Sequence, residues 1–392
     1  MLYITDLPAL AAFCDELRSY PSIAFDTEFA NRSTYFPRLR LVQVAAGPLC
    51  GVIDSYRVPT LAPLLEVLYD PAIEKVVHAG RQDLAIFTRL TGKVPAPLFD
   101  TMVAGSLLGY GAQPAYQLLV SRATGRRLAK GYANSDWDQP ELTVAQLKYA
   151  AEDALYLPAV AEHLKAELAQ TGRTSWAQEE LERLLEPTLY LPPDPRQQYL
   201  RIRDRNHLSS RALGVLREVA AWRETTAQQV DKPRGWVIPD DALMGIARRA
   251  AGRRGFEPGD CPAGCEEHLP ALQEAVRRAL AGSPIESTAA PAQEENGLVE
   301  LAQAFVRSRC LAENVAATVV VTRDELQALC AASDNGNGLP PLPVLSGWRR
   351  EFIGDDLLAL LRGELCLAVD RSSGVLVTCR SLQAPAEQAT RP

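Results

Sequence analysis

Two hydrophobic patterns divide the chain. Up to about residue 175, short apolar runs alternate with stretches of helical period. Ser22-Ile23-Ala24-Phe25-Asp26 reads as a strand ending in acids. Residues 39–45 alternate as a second strand, and Val52-Ile53-Asp54 is a short third. Residues 61–69 have a helical period, Lys75-Val76-Val77-His78 is an apolar strand, and residues 83–91 follow as a helix closed by Gly92. Further helices are expected over residues 101–108, 115–124 and 143–171. The last opens on the Thr-x-x-Gln capping box of Thr143 and Gln146. Strands followed by helices predict an α/β domain, a mixed sheet flanked by helices.

Beyond it the pattern turns helical. Pro187, Pro192, Pro193 and Pro195 mark residues 187–197 as a linker. Residues 198–282 read as all-helical, with Leu213, Leu216, Val219, Ala220 and Trp222 tracing an amphipathic stripe. Residues 283–296 have few large apolar groups and read as a second linker. A second helical segment spans 297–363, broken by a loop at 334–343. Residues 365–369 and 375–379 form a hairpin pattern around Ser372-Ser373-Gly374. The last ten residues are expected to be disordered. The predicted domains are therefore 1–186, 198–282 and 297–382.

Length and composition agree: 392 residues with 47% hydrophobic content suit two or three folded domains. No run of 18 apolar residues offers a membrane span, and Met1-Leu2-Tyr3-Ile4-Thr5-Asp6 lacks a signal-peptide layout. Eight cysteines without a spacing pattern fit reduced thiols. The expectation is a cytoplasmic, monomeric protein with no membrane partner. Net charge is −7 but uneven. Residues 1–190 hold 17 Lys+Arg against 22 Asp+Glu, residues 283–392 hold 9 against 14, and residues 198–282 hold 14 against 11. The middle segment alone is basic. It can supply an electrostatic hold on phosphate beside an acidic neighbour, or be ordinary scatter.

The candidate chemistry lies in three separated peptides. In Phe25-Asp26-Thr27-Glu28-Phe29 the acids stand at i and i+2, on one face of a strand. In Tyr149-Ala150-Ala151-Glu152-Asp153 a phenol and a carboxylate at i and i+4 share one face of a helix. His78-Ala79-Gly80-Arg81-Gln82-Asp83-Leu84 adds an acid at a helix start. Four carboxylates can hold two hard cations such as Mg2+ or Mn2+ with a water, the arrangement that cleaves a phosphodiester in line. Asp26 is placed to bridge the two ions, with Glu28, Asp83 and Asp153 completing them. Tyr149, with an ordinary pKa of about 10, suits orienting a water better than removing its proton.

These residues resemble the DEDDy exonucleases, and within them the ribonuclease D family. The matching stretches are Phe25 to Phe29 with Thr34-Tyr35-Phe36-Pro37-Arg38-Leu39-Arg40-Leu41-Val42-Gln43, then His78 to Asp83, then Ser135-Asp136-Trp137 with Gln146 to Asp153. The resemblance implies Asp26, Glu28, Asp83 and Asp153 as metal ligands and Tyr149 as the water-positioning tyrosine, where a sister subgroup carries histidine. It implies a ribonuclease H-like fold over residues 1–175. It also implies a 3′→5′ exoribonuclease that releases nucleoside 5′-monophosphates and trims structured RNA such as tRNA precursors. Leu216 to Glu224 with Lys232-Pro233-Arg234-Gly235-Trp236-Val237 resembles an HRDC domain, a helical bundle associated with nucleic-acid binding. Gly347-Trp348-Arg349-Arg350 with residues 357–363 is similar to a second, degenerate HRDC-like unit. Asp136-Trp137-Asp138-Gln139-Pro140 departs by lacking the arginine that the family carries near that proline.

Plainer roles stand beside these. Asp100 reads as a helix cap and Glu152 as a solvated neighbour of Asp153. His78 reads as positioning the second motif's loop and is also a candidate substrate contact. Arg81 and Gln82 are candidates for phosphate contact or loop scaffold. Lys130, in a basic run with Arg126 and Arg127, is a candidate substrate contact or a solvated loop residue. Cys261, Cys265 and His268 offer three zinc-type ligands at unusual spacing, one short of a structural site. Trp222, Trp236 and Trp348 fit core positions or base stacking. Two rivals remain open: a DNA 3′→5′ exonuclease, and a catalytically silent RNA-binding protein.

Overall fold

The computed structural model describes residues 1–128, 131, 135–252, 256–285, 297–335, 339–372 and 376–380. Lys130, residues 286–296 of the expected second linker and the last ten residues lie outside them. The chain opens with β1 (Leu2–Ile4), α1 (Leu7–Leu17), β2 (Ser22–Ala30), β3 (Arg38–Ala46), β4 (Leu49–Asp54) and α2 (Ala62–Leu68). β5 (Glu74–Val77), α3 (Arg81–Thr91), β6 (Leu98–Asp100), α4 (Thr101–Leu107), α5 (Tyr116–Thr124), α6 (Val144–Leu155), α7 (Leu157–Gln170) and α8 (Thr174–Arg183) follow. The sheet order is β1-β4-β3-β2-β5-β6. β3 runs antiparallel to β2 and β4, while β1–β4, β2–β5 and β5–β6 are parallel. It is the mixed sheet flanked by helices that the pattern predicted.

Alternation along the strands feeds opposite faces. Ile23, Phe25, Val42 and Val44 pack into one core with Leu10, Phe13, Leu84 and Phe87 of α1 and α3. On the other face Ala24 joins a core with α4, α5 and α7, and Leu41, Ala45 and Val52 lie under Leu147, Ala150 and Ala154 of α6. Two boundaries differ from the sequence reading. β2 does not stop at Asp26 but continues to Ala30, so both acids lie within it, and its register shifts between Glu28 and Phe29. The single helix expected over 143–171 is two, broken at Tyr156. Pro158 has no N–H to continue the ladder and sits in the first turn of α7 instead. The capping box at Thr143 and Gln146 forms on both sides, and Gly92 closes α3 at φ 76°.

Residues Pro187–Tyr190 and Pro195–Arg201 form short 3-10 turns, and Tyr190 is buried in the nuclease-side core. A helical unit follows: α9 (Ser210–Gln229), α10 (Arg234–Val237), α11 (Asp240–Ala250) and α12 (Leu269–Ala281). Leu216, Val219, Ile246 and Leu272 centre a core of its own. Trp222 is half-buried at the edge of that core, and Trp236 is 65% exposed. The C-terminal region is helical: α13 (Gly297–Ala312), α14 (Ala317–Val320), α15 (Arg323–Asn335), α16 (Gly347–Arg349), a π-turn at Arg350–Gly354 and α17 (Asp355–Leu361). The expected hairpin forms as β7 (Leu365–Val369) antiparallel to β8 (Leu376–Arg380).

Among the described residues this last region has no separate core. Phe305, Leu329, Val344, Trp348 and Leu357 share one cluster with Ala24, Val76 and Phe99 of the sheet and with α7 and α8. Trp348 stacks on Trp176 of α8 at 4.6 Å and 17°, and its Nε1 donates to Glu180 at 2.8 Å. Arg349 pairs both carboxylate oxygens of Glu180. Gly347 sits at φ +53°, a left-handed conformation that favours glycine, beside the Glu179 carboxylate. Among the described residues no helix is long and apolar enough to cross a membrane.

Candidate active site

Asp26 and Glu28 project from the α6-covered face of β2, as the period of two requires. Asp153 comes to them from α6. Ligand oxygens of Asp26, Glu28 and Asp153 all lie within 4.8 Å of one another. Asp83, in the first turn of α3, is buried and accepts a hydrogen bond from the hydroxyl of Thr27, the residue between the two strand acids. It joins the group through its charge rather than within that close triad: Asp83, Asp153 and Glu28, in that order, add to burial in lifting the Asp26 pKa. Tyr149 lies one helical turn before Asp153 and bonds its carboxylate.

The electrostatics follow from crowding acids in a partly dry place. Burial, then the charges of Asp153 and Asp83, push Glu28 up to about 9. Burial lifts Asp153 to about 7 against the lowering bond from Tyr149. It lifts Asp83 to about 6 against the bond from Thr27. Burial and the Asp153 charge raise Tyr149 well above an ordinary phenol, so it stays protonated. Carboxylates that resist ionising together want a compact positive charge. An all-oxygen donor set without histidine or cysteine suits a hard divalent cation, so the residues fit the expected metal. Among the described residues this triad is the one group of metal-capable side chains.

The surrounding loop is fixed by Asp100. It caps α4 through Met102 N (2.8 Å) and also accepts from Ala79 N (3.1 Å) and Gly80 N (3.0 Å). The second motif's turn, with Ala79 at φ 54°, is thus pinned to the next strand. The capping role was legible in sequence; the grip on residues 79–80 was not, because it spans two strands. His78 contacts Thr101 Oγ1 at 2.9 Å and the Tyr116 ring at 5.5 Å, and burial lowers its pKa. It braces the loop and does not enter the acid cluster. Arg81 and Gln82 are exposed at the start of α3.

Two residues beside the site carried no flag in sequence. Tyr116 donates to Glu152 O at 3.0 Å, and burial with the Asp153 and Asp26 charges raises its pKa. Gln43 faces Asp26 across the β2–β3 pair and is fully buried. The cysteine set does not assemble a zinc site. Cys261 Sγ donates to Cys265 O at 3.3 Å, and His268 lies against Trp222.

A family profile described as 3′-5′ exonuclease matches residues 1–169, and an HRDC domain profile matches residues 212–251. Ribonuclease D of Granulibacter bethesdensis is 37% identical over 96% of both chains. Ribonuclease D of Gluconacetobacter diazotrophicus is 36% identical over 94% of both. The crystal structure of Escherichia coli RNase D, an exoribonuclease involved in structured RNA processing, superposes with a TM-score of 0.77 at 27% identity. It covers 92% of this chain and 98% of that one. The catalytic core of RRP6 from Trypanosoma brucei shares the fold, with a TM-score of 0.57 at 22% identity over 71% of this chain and 79% of that one.

Proposed function

Because this chain belongs to the ribonuclease D family and is a 3′→5′ exoribonuclease, we propose that Asp26, Glu28, Asp83 and Asp153 are its metal ligands and Tyr149 its water-positioning residue. The observation that carries this is the close triad of Asp26, Glu28 and Asp153 with raised proton affinities, which a cation pair would relieve. Bound Mg2+ or Mn2+, two per site, would supply an acidified water and neutralise phosphate and leaving-oxygen charge. The chain's own residues do the rest. Asp26, within β2 and paired there with Gln43 of β3, would be the bridging ligand. Thr27 holds Asp83 in place. Tyr149, kept protonated beside Asp153, would orient the attacking water through its hydroxyl.

The reaction class is hydrolysis of the 3′-terminal phosphodiester, releasing nucleoside 5′-monophosphates. The substrate is structured RNA with 3′ extensions, tRNA precursors first, which the E. coli relative's involvement in structured RNA processing supports. Residues 297–382 are read as a second, HRDC-like unit. The chain is read as a monomer of the cytoplasm, consistent with eight free cysteines. A 3′-extended tRNA transcript, and a DNA strand of the same sequence, are incubated with wild type and Asp26→Ala, with Mn2+ or Mg2+ and with EDTA. Metal-dependent stepwise shortening of the RNA alone, absent in the variant, is expected. Equal attack on DNA would replace the ribonuclease reading with general exonuclease action. Cleavage that survives EDTA or Asp26→Ala would refute the site.

A further inference from the structure

The segment joining β2 to β3, residues 31–37, lies directly downstream of Asp26 and Glu28, past the register shift that interrupts the β2–β3 ladder. A disrupted ladder leaves this link needing restraint from elsewhere. The restraint comes from the HRDC unit. The Tyr35 hydroxyl donates to Glu224 of α9, and Gln228 Nε2, one turn on, donates to Tyr35 Oη at 3.1 Å. The Phe36 N–H donates to Asp231 Oδ1 at 3.0 Å, just beyond the end of α9.

Both acceptors are specialised. Glu224 is 0% exposed, a carboxylate buried at the joint. Asp231 adopts φ +48°, a left-handed conformation disfavoured by a side chain, and presents its carboxylate to the nuclease link. Burial and the Glu224 bond push Tyr35 up to about 12, so its hydroxyl remains a donor at working pH.

The same link grips the other catalytic segments. The Arg89 guanidinium lies 3.7 Å from the centre of the Phe36 ring, and Arg89 belongs to α3, whose first turn carries Asp83. Arg32 reaches Asp136 at 3.6 Å, in the approach to α6, which carries Tyr149 and Asp153. One short link therefore continues β2, touches α3 and reaches the loop that precedes α6 on one side, and meets the HRDC unit on the other. The Tyr35 and Phe36 hydrogen bonds to Glu224 and Asp231 face protein, whereas the Arg32–Asp136 pair lies at the surface. A surface built to hold RNA would turn its cations and aromatics to solvent, as Trp236 and Lys232 do on this unit.

We propose that the HRDC unit is a positioning element of the nuclease site, acting through a Tyr35–Phe36 latch on Glu224 and Asp231. This rests on the assignment of Asp26, Glu28 and Asp83 made above. Misplacing ligands by a fraction of an ångström lowers turnover without changing how RNA is held, so the latch acts on kcat.

Full-length Tyr35→Phe, Asp231→Ala and Asp231→Asn are compared with wild type and Asp26→Ala on a short single-stranded RNA, with melting curves for each. Tyr35→Phe keeps the ring, and Asp231→Asn keeps the acceptor and tolerates left-handed backbone. The latch predicts a fall in kcat of about tenfold for Tyr35→Phe and Asp231→Ala, with KM changed less than about twofold. Asp231→Asn should restore most of the loss, which a general folding defect would not distinguish from Asp231→Ala. Unchanged kcat, or a raised KM at constant kcat, overturns the latch and makes the HRDC unit an RNA hold. Activity surviving in Asp26→Ala would instead remove the site assignment beneath it.

Discussion

The two helical regions after the nuclease domain attach to it in opposite ways. The HRDC unit keeps its own core, centred on Leu216, Val219, Ile246 and Leu272, and meets the nuclease largely through polar contacts at Tyr35 and Phe36. The C-terminal region buries Phe305, Trp348 and Leu357 in the same cluster as Ala24 and Val76 of the central sheet. Apolar burial is strong and insensitive to direction, whereas a few hydrogen bonds are weak and geometrically exact in what they fix. The first joint can therefore set the geometry of a neighbouring site. The second makes the sheet and the C-terminal helices one folding unit. A truncated chain ending near residue 190 is thus not an isolated nuclease domain but a nuclease with half a core exposed.

The largest effect should come from removing residues 297–392. With the shared cluster opened, the remaining chain should aggregate or lose its cooperative melt, while keeping an HRDC transition of its own. A soluble, native-like nuclease from such a truncation would show that the cores are separate after all. Single residues sharpen the contrast. Trp348→Ala should cost about 3–5 kcal/mol by denaturant unfolding, because a buried, stacked ring leaves a cavity. Trp236→Ala, on the HRDC surface, should fall within about 0.5 kcal/mol.

Calorimetry in the presence of Mn2+ asks which unit holds the metal. Saturation at a hundredfold over Kd should stabilise the nuclease and C-terminal transition by about 2.7 kcal/mol for each ion bound and leave the HRDC transition in place. The effect should grow with pH. Glu28 binds its proton more tightly in the folded state, at about 9 against an ordinary 4.5. The metal-free protein therefore loses stability as pH rises through that window, and a cation replaces the lost protons. A metal stabilisation that shrinks between pH 6 and 9 would contradict the placement of Glu28.

A smaller effect of opposite sign belongs to the fused joint. Burial alone would raise the Glu180 pKa, but the bonds from Arg349 and Trp348 outweigh it and hold it below the ordinary value. Its contribution is complete above about pH 4.5 and is lost as pH falls through the lowered pKa. Glu180→Gln should flatten that acid limb; an unchanged acid limb would show that the pair adds nothing.

What the sequence disclosed follows the range of the interaction. The i, i+2 acids on β2, the i, i+4 pair on α6, the capping box and Gly92 are local devices, and each is present as read. The break at Tyr156 is also local, set by Pro158, but the helical period of residues 143–171 runs across it. The end of β2 at Ala30, past a register shift after Glu28, is not legible, since polar and apolar residues mix there. The role of Thr27 toward Asp83, the grip of Asp100 on residues 79–80 and the shared C-terminal core each join segments far apart in the chain. No local pattern reports which surfaces will meet. Charge counting gave the middle segment as basic, but its joint with the nuclease is built on two acids, Glu224 and Asp231.

The central claim is that four carboxylates from three segments form one divalent-cation site. Titration of Mn2+ followed by electron paramagnetic resonance, on wild type, Asp26→Asn and Asp83→Asn, tests it most directly. The account predicts two ions per wild-type chain, loss of both in Asp26→Asn and loss of one in Asp83→Asn. Two ions bound undiminished by Asp26→Asn would contradict it.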